Sequence, residues 1–248
     1  MRTLLALTSR ELKSLWYSPI AFSVGALFLV LQGVTFAILL LALNDPSADP
    51  SWTVSQFFFG GWFLYWISVF LMAPVLTMRT FSEEKRSGSI EFLLTAPVSD
   101  AQVVLSKFLG AWIAYCLLWV PTVAYFLVLR SITTVDWGPV ATGYLGTWLL
   151  GAVLIALGVL ASSLTRNQVI SAVLGFVLIL LLFLSGALAT FTHDPDAREF
   201  ISYFSIYDQL QLFSKGLIDT RPIVFYASLT AFCLFLTGRV IGSPRWRS

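Results

Sequence analysis

Six long apolar runs constrain this chain more than any other feature of its sequence. Within each run the apolar residues neither alternate nor keep to one helical face. A helix that rises about 1.5 Å per residue needs about 20 such residues to cross a hydrocarbon core of about 30 Å. The predicted fold class is therefore all-α, a polytopic membrane protein with six transmembrane helices. The predicted spans are residues 20–43, 54–78, 105–129, 140–163, 168–190 and 222–241.

The N-terminal segment has the pattern of an amphipathic helix over residues 2–16. Its apolar face is predicted to comprise Leu4, Leu5, Leu12, Leu15 and Trp16, and its polar face Arg10, Glu11, Lys13 and Ser14. Such a helix lies in the headgroup region of a membrane; the alternative is a soluble N-terminal helix. We therefore divide the chain into an interfacial helix at 1–18 and a six-helix transmembrane domain at 19–248. The first apolar run starts too late and is too long for a cleaved signal peptide.

The distribution of Lys and Arg predicts the orientation, because cytoplasmic segments carry an excess of them. With the N-terminus in the cytoplasm, six spans return the C-terminus to the same side. Eleven of the 15 basic residues are then cytoplasmic. The outer segments keep Arg130, Arg198, Lys215 and Arg221.

Several kinds of chemistry lack their sequence motifs. The chain contains no P-loop, no G-x-S-x-G and no H-E-x-x-H, so we predict no catalytic, cofactor or metal site and no enzymatic activity of its own. His193 stands alone in a loop, and Cys116 and Cys233 lie in apolar runs. The sequence has no basic stripe of the kind that binds nucleic acid. The span centres hold no ionisable residue, which disfavours an ion-coupled carrier and indicates that energy enters from outside the bilayer.

A charged island at residues 79–104 separates the second and third apolar runs. It holds seven charged residues, whereas only 11% of the whole chain is charged. The pattern predicts that the helix of span two continues over 79–86 and breaks at 87–89. Ser99 and Gln102 then form a capping-box pattern that starts the helix of span three.

Between the break and the cap, the sequence of residues 90–95 predicts a short helix roughly parallel to the membrane. Its apolar face comprises Ile90, Leu93 and Leu94. These side chains cannot all be buried within so short a loop, so they fit a groove on a partner protein. The alternative is a solvated loop with one helical turn.

The sequence from Glu84 to Pro97 resembles the signature E-x-x-x-G-[ST]-x-E-x-L-L-x-x-P of ABC-2 type permeases, the membrane subunits of one class of ATP-driven exporters. In that family the segment forms a cytoplasmic coupling helix that docks on the ATPase subunit. The resemblance implies a docking site at Glu83, Glu84, Gly88, Glu91, Leu93, Leu94 and Pro97. Gly88 and Pro97 are expected to shape the turn rather than to make the contact.

The resemblance extends over nearly the whole chain. Residues 18–21, 216–221 and 236–246 are similar to the gliding-motility-associated and nitrous-oxide-reductase-maturation branch of the family. The resemblance implies a second permease copy, in a homodimer or a related heterodimer, and two copies of an ATP-binding-cassette ATPase. It also implies the bacterial cytoplasmic (inner) membrane and leaves room for an extracytoplasmic accessory protein.

The outer segment between spans five and six carries aromatic residues at spacings of three and four. The predicted aromatic face comprises Phe200, Tyr203, Phe204, Tyr207, Leu210 and Phe213. The resemblance implies a re-entrant helix pair here, with Ser185-Gly186 as the point where span five breaks; the alternative is an ordinary interfacial helix. Small residues in span four predict close helix packing at Gly143, Gly146 and Gly151. Gln32 and Gln56 are candidates for lining a passage.

These observations predict the permease subunit of an ATP-driven export-type ABC-2 transporter, which couples ATP hydrolysis in a separate subunit to substrate movement. Two alternatives remain open. One is a membrane subunit that transmits force to an extracytoplasmic machine and has no substrate passage. The other is a carrier or channel that needs no ATPase.

Overall fold

The computed structural model describes residues 2–44, 53–89, 99–191 and 203–242. Every regular element in these ranges is helical. We number the principal helices α1 (Arg2–Trp16), α2 (Pro19–Leu43), α3 (Phe63–Thr77), α4 (Ser82–Ser87), α5 (Asp100–Trp119), α6 (Val123–Arg130), α7 (Trp137–Leu164), α8 (Gln168–Phe191), α9 (Ile206–Ser214) and α10 (Thr220–Ile241).

The predicted all-helical fold with six membrane-spanning helices is confirmed. Six helical stretches of the described chain are long and apolar enough to cross a membrane. The third comprises α5 and α6, joined by a 3₁₀ turn at Val120–Thr122 that contains Pro121. Proline has no N–H to donate, which explains the local change of helix type.

Helix α7 is the central helix of the bundle. In its most apolar 18-residue stretch 78% of the residues are buried, against 22% for α2, α8 and α10. It contacts α3, α5, α8, α9 and α10. The predicted close packing at its glycines is confirmed, since a Cβ added at Gly146 would lie 2.8 Å from the Phe213 ring, and one at Gly151 would overlap the Tyr115 ring. The glycines thus let bulky aromatic side chains reach the α7 backbone.

The second span differs from the continuous helix predicted over 54–78. A helical turn at Val54–Gln56 leads into a π-helical turn at Phe57–Gly61, and Trp62 is extended before α3 begins. Gly60 has a φ of +90°, which residues with a Cβ rarely adopt. Its carbonyl accepts a hydrogen bond of 2.9 Å from Trp66 Nε1. The break therefore folds the first part of the predicted span into a separate, buried turn.

The fifth span corrects another expectation, because α8 continues through Ser185-Gly186 without a break. The Ser185 hydroxyl donates to the Leu182 carbonyl at 2.7 Å, within the helix. A Cβ on Gly186 would lie 2.7 Å from Ser205 Cα. Gly186 therefore permits the approach of the chain that starts α9, and it does not end the helix.

The single aromatic face predicted over 197–214 is also not observed. Helix α9 begins only at Ile206, so Tyr203 and Phe204 precede it. Leu210 and Phe213 are fully buried, whereas Tyr207 is 43% exposed. Phe200 and His193 lie outside the described residues. The buried side of α9 is a mixed apolar and polar face that packs on α7.

Candidate functional site

The bundle has two ends, which we name after their short helices. At the α4 end lie α1, α4, the first turns of α5 and the last turn of α7. At the α9 end lie α9, the turn at Phe57–Gly61 and the first turns of α7. The predicted docking segment begins at the α4 end.

A turn at residues 78–81 separates α3 from α4, where the sequence predicts an uninterrupted helix. The backbone N–H groups of Phe81 and Ser82 donate to Ser162 Oγ, near the end of α7, at 3.0 and 3.1 Å. The Ser162 hydroxyl in turn donates to the Met78 carbonyl at 3.3 Å. Free amides at the start of a helix need acceptors. A side chain of another helix supplies one here, so the helix can stop and restart.

Helix α4 is fixed to the end of α7 by a second contact. The Lys85 side chain is buried, and its ammonium group donates to the Ser163 carbonyl. The neighbouring Glu83 and Arg86 point outward, and Glu83 lies 4.0 Å from Arg79. One side of this short helix therefore makes structural contacts, and the other is exposed.

Four charged side chains, which we call the Lys107 cluster, join three helices at this end. Lys107 Nζ of α5 lies 2.7 Å from Glu84 Oε1 of α4 and 3.4 Å from Glu11 Oε1 of α1. Arg10 lies 3.0 Å from Glu11 and 4.0 Å from Glu84. The Lys107 side chain is 2% exposed, and its ammonium group lies 5.1 Å from the centre of the Phe81 ring. The cluster therefore pairs two cations with two carboxylates.

The charged groups of the Lys107 cluster stabilise one another. A buried ammonium group is tolerated only when counter-charges and hydrogen bonds replace its hydration. Removing one partner of a buried ion pair costs about 3–5 kcal/mol, because the other charge stays buried without compensation. Helices α1, α4 and α5 are therefore linked by contacts that cannot be lost one at a time without cost.

The position of Glu11 corrects the predicted polar face of α1. At 3.6 residues per turn, Glu11 lies between Leu4 and Leu15 on the face that packs against α5. Gly110 of α5 allows this approach, since a Cβ there would lie 2.8 Å from Glu11 Cβ. Leu5 and Trp16, predicted on the apolar face, are 66% and 42% exposed on the surface of the bundle, so their predicted contact with the membrane stays a prediction.

The described residues on either side of the predicted docking segment have defined conformations. After α4, Gly88 has a φ of +75°, and no atom lies within 4 Å of the position of a Cβ, so conformation rather than space favours glycine. The predicted capping box is confirmed: Ser99 Oγ accepts from Gln102 N at 3.3 Å, and Gln102 Oε1 accepts from Ser99 N at 3.2 Å. Four predicted docking residues lie outside the described residues: Glu91, Leu93, Leu94 and Pro97.

The candidates for a passage lie in structural positions. Gln32 is fully buried, and its Nε2 donates to Ser68 Oγ of α3 at 2.7 Å. Gln56 forms a capping box with Thr53 at the start of the turn before α3. Among the described residues, no group of three or more His, Cys, Asp or Glu side chains is placed to hold a metal ion.

A family model described as "ABC-2 family transporter protein" matches residues 21–237. The chain belongs to the ABC-2 transporter family. The match covers most of the chain, including the docking segment and parts of all six spans. This ABC-2 protein is therefore a multi-pass membrane protein and a permease subunit of an ABC transporter, a component that is generally non-catalytic. Comparison with curated proteins gives no match.

The sequence interpretation missed the pairing partners of the docking segment. The sequence analysis includes Lys107 only among the cytoplasmic basic residues and places Glu11 on the polar face of the N-terminal helix. A signal was present, because Lys107 follows the Ser99 cap by two turns and enters an apolar run, where an ionisable group requires a partner. The identity of that partner depended on the tertiary arrangement.

Proposed function

We propose that this chain is the transmembrane subunit through which a separate ATP-binding-cassette ATPase drives export-type transport. The observation that carries the proposal is the attachment of α4, where the docking signature begins, to three other helices. It contacts α5 through Lys107, α1 through Arg10, and α7 through Ser162 and Ser163. An ATPase partner is what membership of the family implies.

In the proposed mechanism, closure of two ATPase copies around ATP displaces the docking segment. The load passes from Gly88 into α4. One part of the load then passes to α7 through Ser162 and Lys85. The other part passes to α5 and α1 through Glu84. Because α7 contacts most of the other helices, its displacement would move the whole subunit.

A packed interior supports the proposal that two permease copies form the passage between them. Near the α9 end, Phe59 stacks on Phe126 at 5.7 Å and lies 4.9 Å from Tyr144, while Trp119 fills the space next to them. Rings at these separations leave no room for a substrate inside this part of the subunit. Substrate would therefore move along the contact between copies, either identical or related.

The proposed orientation places the α4 end in the cytoplasm of a bacterium and the α9 end outside its cytoplasmic membrane. The α4 end carries most of the basic residues in the described chain, as cytoplasmic segments do. An extracytoplasmic accessory protein would then meet the α9 end. If the complex only transmits force to such a protein, the docking contacts would be the same.

The proposed function is tested by charge reversal in the docking segment. Glu91→Lys should lower recovery of the ATP-binding-cassette protein that co-purifies with the wild type by at least about fivefold, since a buried charge pair at an interface is worth several kcal/mol. Glu199→Lys, in the predicted outer segment, is the matched control and should leave recovery unchanged. Both variants should insert normally. Equal recovery with Glu91→Lys and the wild type would contradict a docking role.

A further inference from the structure

An apolar groove runs along the side of the bundle between α2 and the end of α5. It has a volume of about 480 Å³. Its walls include Trp16 of α1, Phe22, Gly25 and Leu29 of α2, and Leu117 and Pro121 at the end of α5. Phe22 is 64% exposed, so the groove opens to the outside of the subunit. In a membrane-spanning chain, such an apolar opening must be filled by lipid or by another protein surface.

The dimensions of the groove favour an acyl chain. Its α2 wall extends from Ala21 to Leu29, which is about 12 Å at 1.5 Å per residue. One leaflet is about 15 Å deep, half of a hydrocarbon core of about 30 Å. The volume of about 480 Å³ extends along this length as an open apolar slot, which suits a single extended acyl chain. A second copy of the chain is the competing occupant of this slot, and the experiment below distinguishes the two.

A cation stands at the α4 end of the groove. Arg79 follows the lining residue Leu76 by three positions, and its Nη1 donates at 3.4 Å to Ser18 Oγ, which lies between the lining residues Trp16 and Ala21. The buried Nε of Arg79 has no hydrogen-bond partner among the described residues. Its nearest carboxylate, Glu83, is 4.0 Å away and about half exposed. The guanidinium group thus retains donors for an anion at the level where headgroups begin.

We propose that this groove binds one acyl chain of an anionic phospholipid, with the phosphate at Arg79. A guanidinium group matches the geometry of phosphate and pairs with it through two hydrogen bonds. Trp16 at the mouth is typical of the interface between headgroups and hydrocarbon. The site does not depend on the ATPase contact and lies in the leaflet at the α4 end.

The test uses the purified full chain in detergent, titrated with dioleoylphosphatidylglycerol or dioleoylphosphatidylcholine and examined by native mass spectrometry. The wild type should bind the anionic lipid about tenfold more tightly. Ala26→Trp, which fills the groove from an exposed lining position, should weaken binding of both lipids at least fivefold. Leu27→Trp is the matched control, since Leu27 is 51% exposed but lies outside the groove.

The headgroup contact is tested separately. Arg79→Gln should reduce the preference for the anionic lipid to less than twofold, whereas Arg86→Gln, at an exposed position on α4, should retain it. An unchanged preference in Arg79→Gln, or equal losses in Ala26→Trp and Leu27→Trp, would overturn the proposal. Weaker self-association of Ala26→Trp with normal lipid binding would assign the groove to a second copy and would also overturn it.

A second measurement covers the case in which Ala26→Trp does not fold. Benzoylphenylalanine at position 22, on the groove wall, should form photo-adducts with the anionic lipid at least fivefold more often than at position 30, which is exposed but outside the groove. Equal adduct yields at the two positions would mean that only bulk lipid covers this face, and the proposal would fail.

Discussion

The two ends of the bundle are built from different interactions. At the α4 end, charges and hydrogen bonds join helices, as in the contacts of Lys107 with Glu84 and of Ser162 with the α4 amides. At the α9 end, aromatic rings pack against glycine backbones, as Phe213 does at Gly146. Coulombic attraction falls off slowly with distance, whereas close packing loses its energy within a fraction of an ångström. The α4 end is therefore suited to moving and the α9 end to keeping its shape.

The largest effect is expected from Lys107→Met, which removes the central cation of the Lys107 cluster. Glu84 and Glu11 would then share the exposed Arg10 as their remaining partner in the cluster, so the free energy of unfolding should fall, by up to about 3–5 kcal/mol. Reversible unfolding in mixed micelles, followed by tryptophan fluorescence, measures this change. Lys13→Met, at an exposed position of α1, is the control.

A double variant sharpens this prediction. Adding Glu84→Gln to Lys107→Met removes one of the two carboxylates that have lost the Lys107 ammonium group. The double variant should therefore regain part of the lost stability. A loss in Lys107→Met no larger than in Lys13→Met would show that the cluster does not hold the α4 end together.

The next effect concerns the α9 end. Gly146→Val would force the Phe213 ring away from α7 and should lower the free energy of unfolding by about 1–3 kcal/mol through overpacking. Gly238→Val is the matched control, because no atom lies within 4 Å of a Cβ at that helical glycine. We expect the loss at position 146 to be independent of salt, because no charged group is involved. Equal losses at positions 146 and 238 would contradict the packing difference between the ends.

Ser162→Ala should have a smaller effect on stability, about 1–2 kcal/mol, because the amides of Phe81 and Ser82 lose their acceptor. Its consequence for function should be larger, since the link from α4 to α7 is weakened. ATP hydrolysis by the reconstituted complex should continue while transport falls. Ser228→Ala, at an exposed serine of α10, should change neither. Normal transport in Ser162→Ala would remove this link from the mechanism.

The smallest effect is expected from Gly88→Ala, which places a Cβ at a φ of +75° and should cost about 1 kcal/mol. Gly88→Asn should cost less, because asparagine tolerates this conformation better. Thermal unfolding in detergent distinguishes the two variants. A stabilised Gly88→Ala variant, as expected for a glycine within a helix, would show that the left-handed end of α4 is not required.

Features that depend on local chemistry could be predicted from the sequence. The six spans follow from length and composition, and the Ser99–Gln102 capping box follows from two side chains three residues apart. The break at Gly60 could not be predicted, because glycine is common in membrane helices and only the tertiary contacts at this site select its positive φ. The predicted helix break at Ser185-Gly186 was wrong for the same reason, because Gly186 allows close packing within a continuous helix.

The same distinction between local chemistry and tertiary contacts applies to the candidate site. Gly88 of the signature ends α4 in a left-handed conformation, and Glu83, which precedes the signature, is exposed; their roles in docking stay predictions. Glu84 has its carboxylate in an intramolecular ion pair, which no pattern within residues 79–104 indicates, because its partners come from α1 and α5. Its role in docking stays a prediction.

The pairing of Glu11 with Lys107 has a consequence for biogenesis, since 96 positions separate the two residues in the chain. At about 5–20 residues per second, a ribosome needs about 5–20 s to reach Lys107 after Glu11 has been made. During that interval α1 has no partner helix to cover Leu4 and Leu15. The nascent helix must wait elsewhere, and its amphipathic sequence suits the surface of the membrane into which the first two spans are inserting.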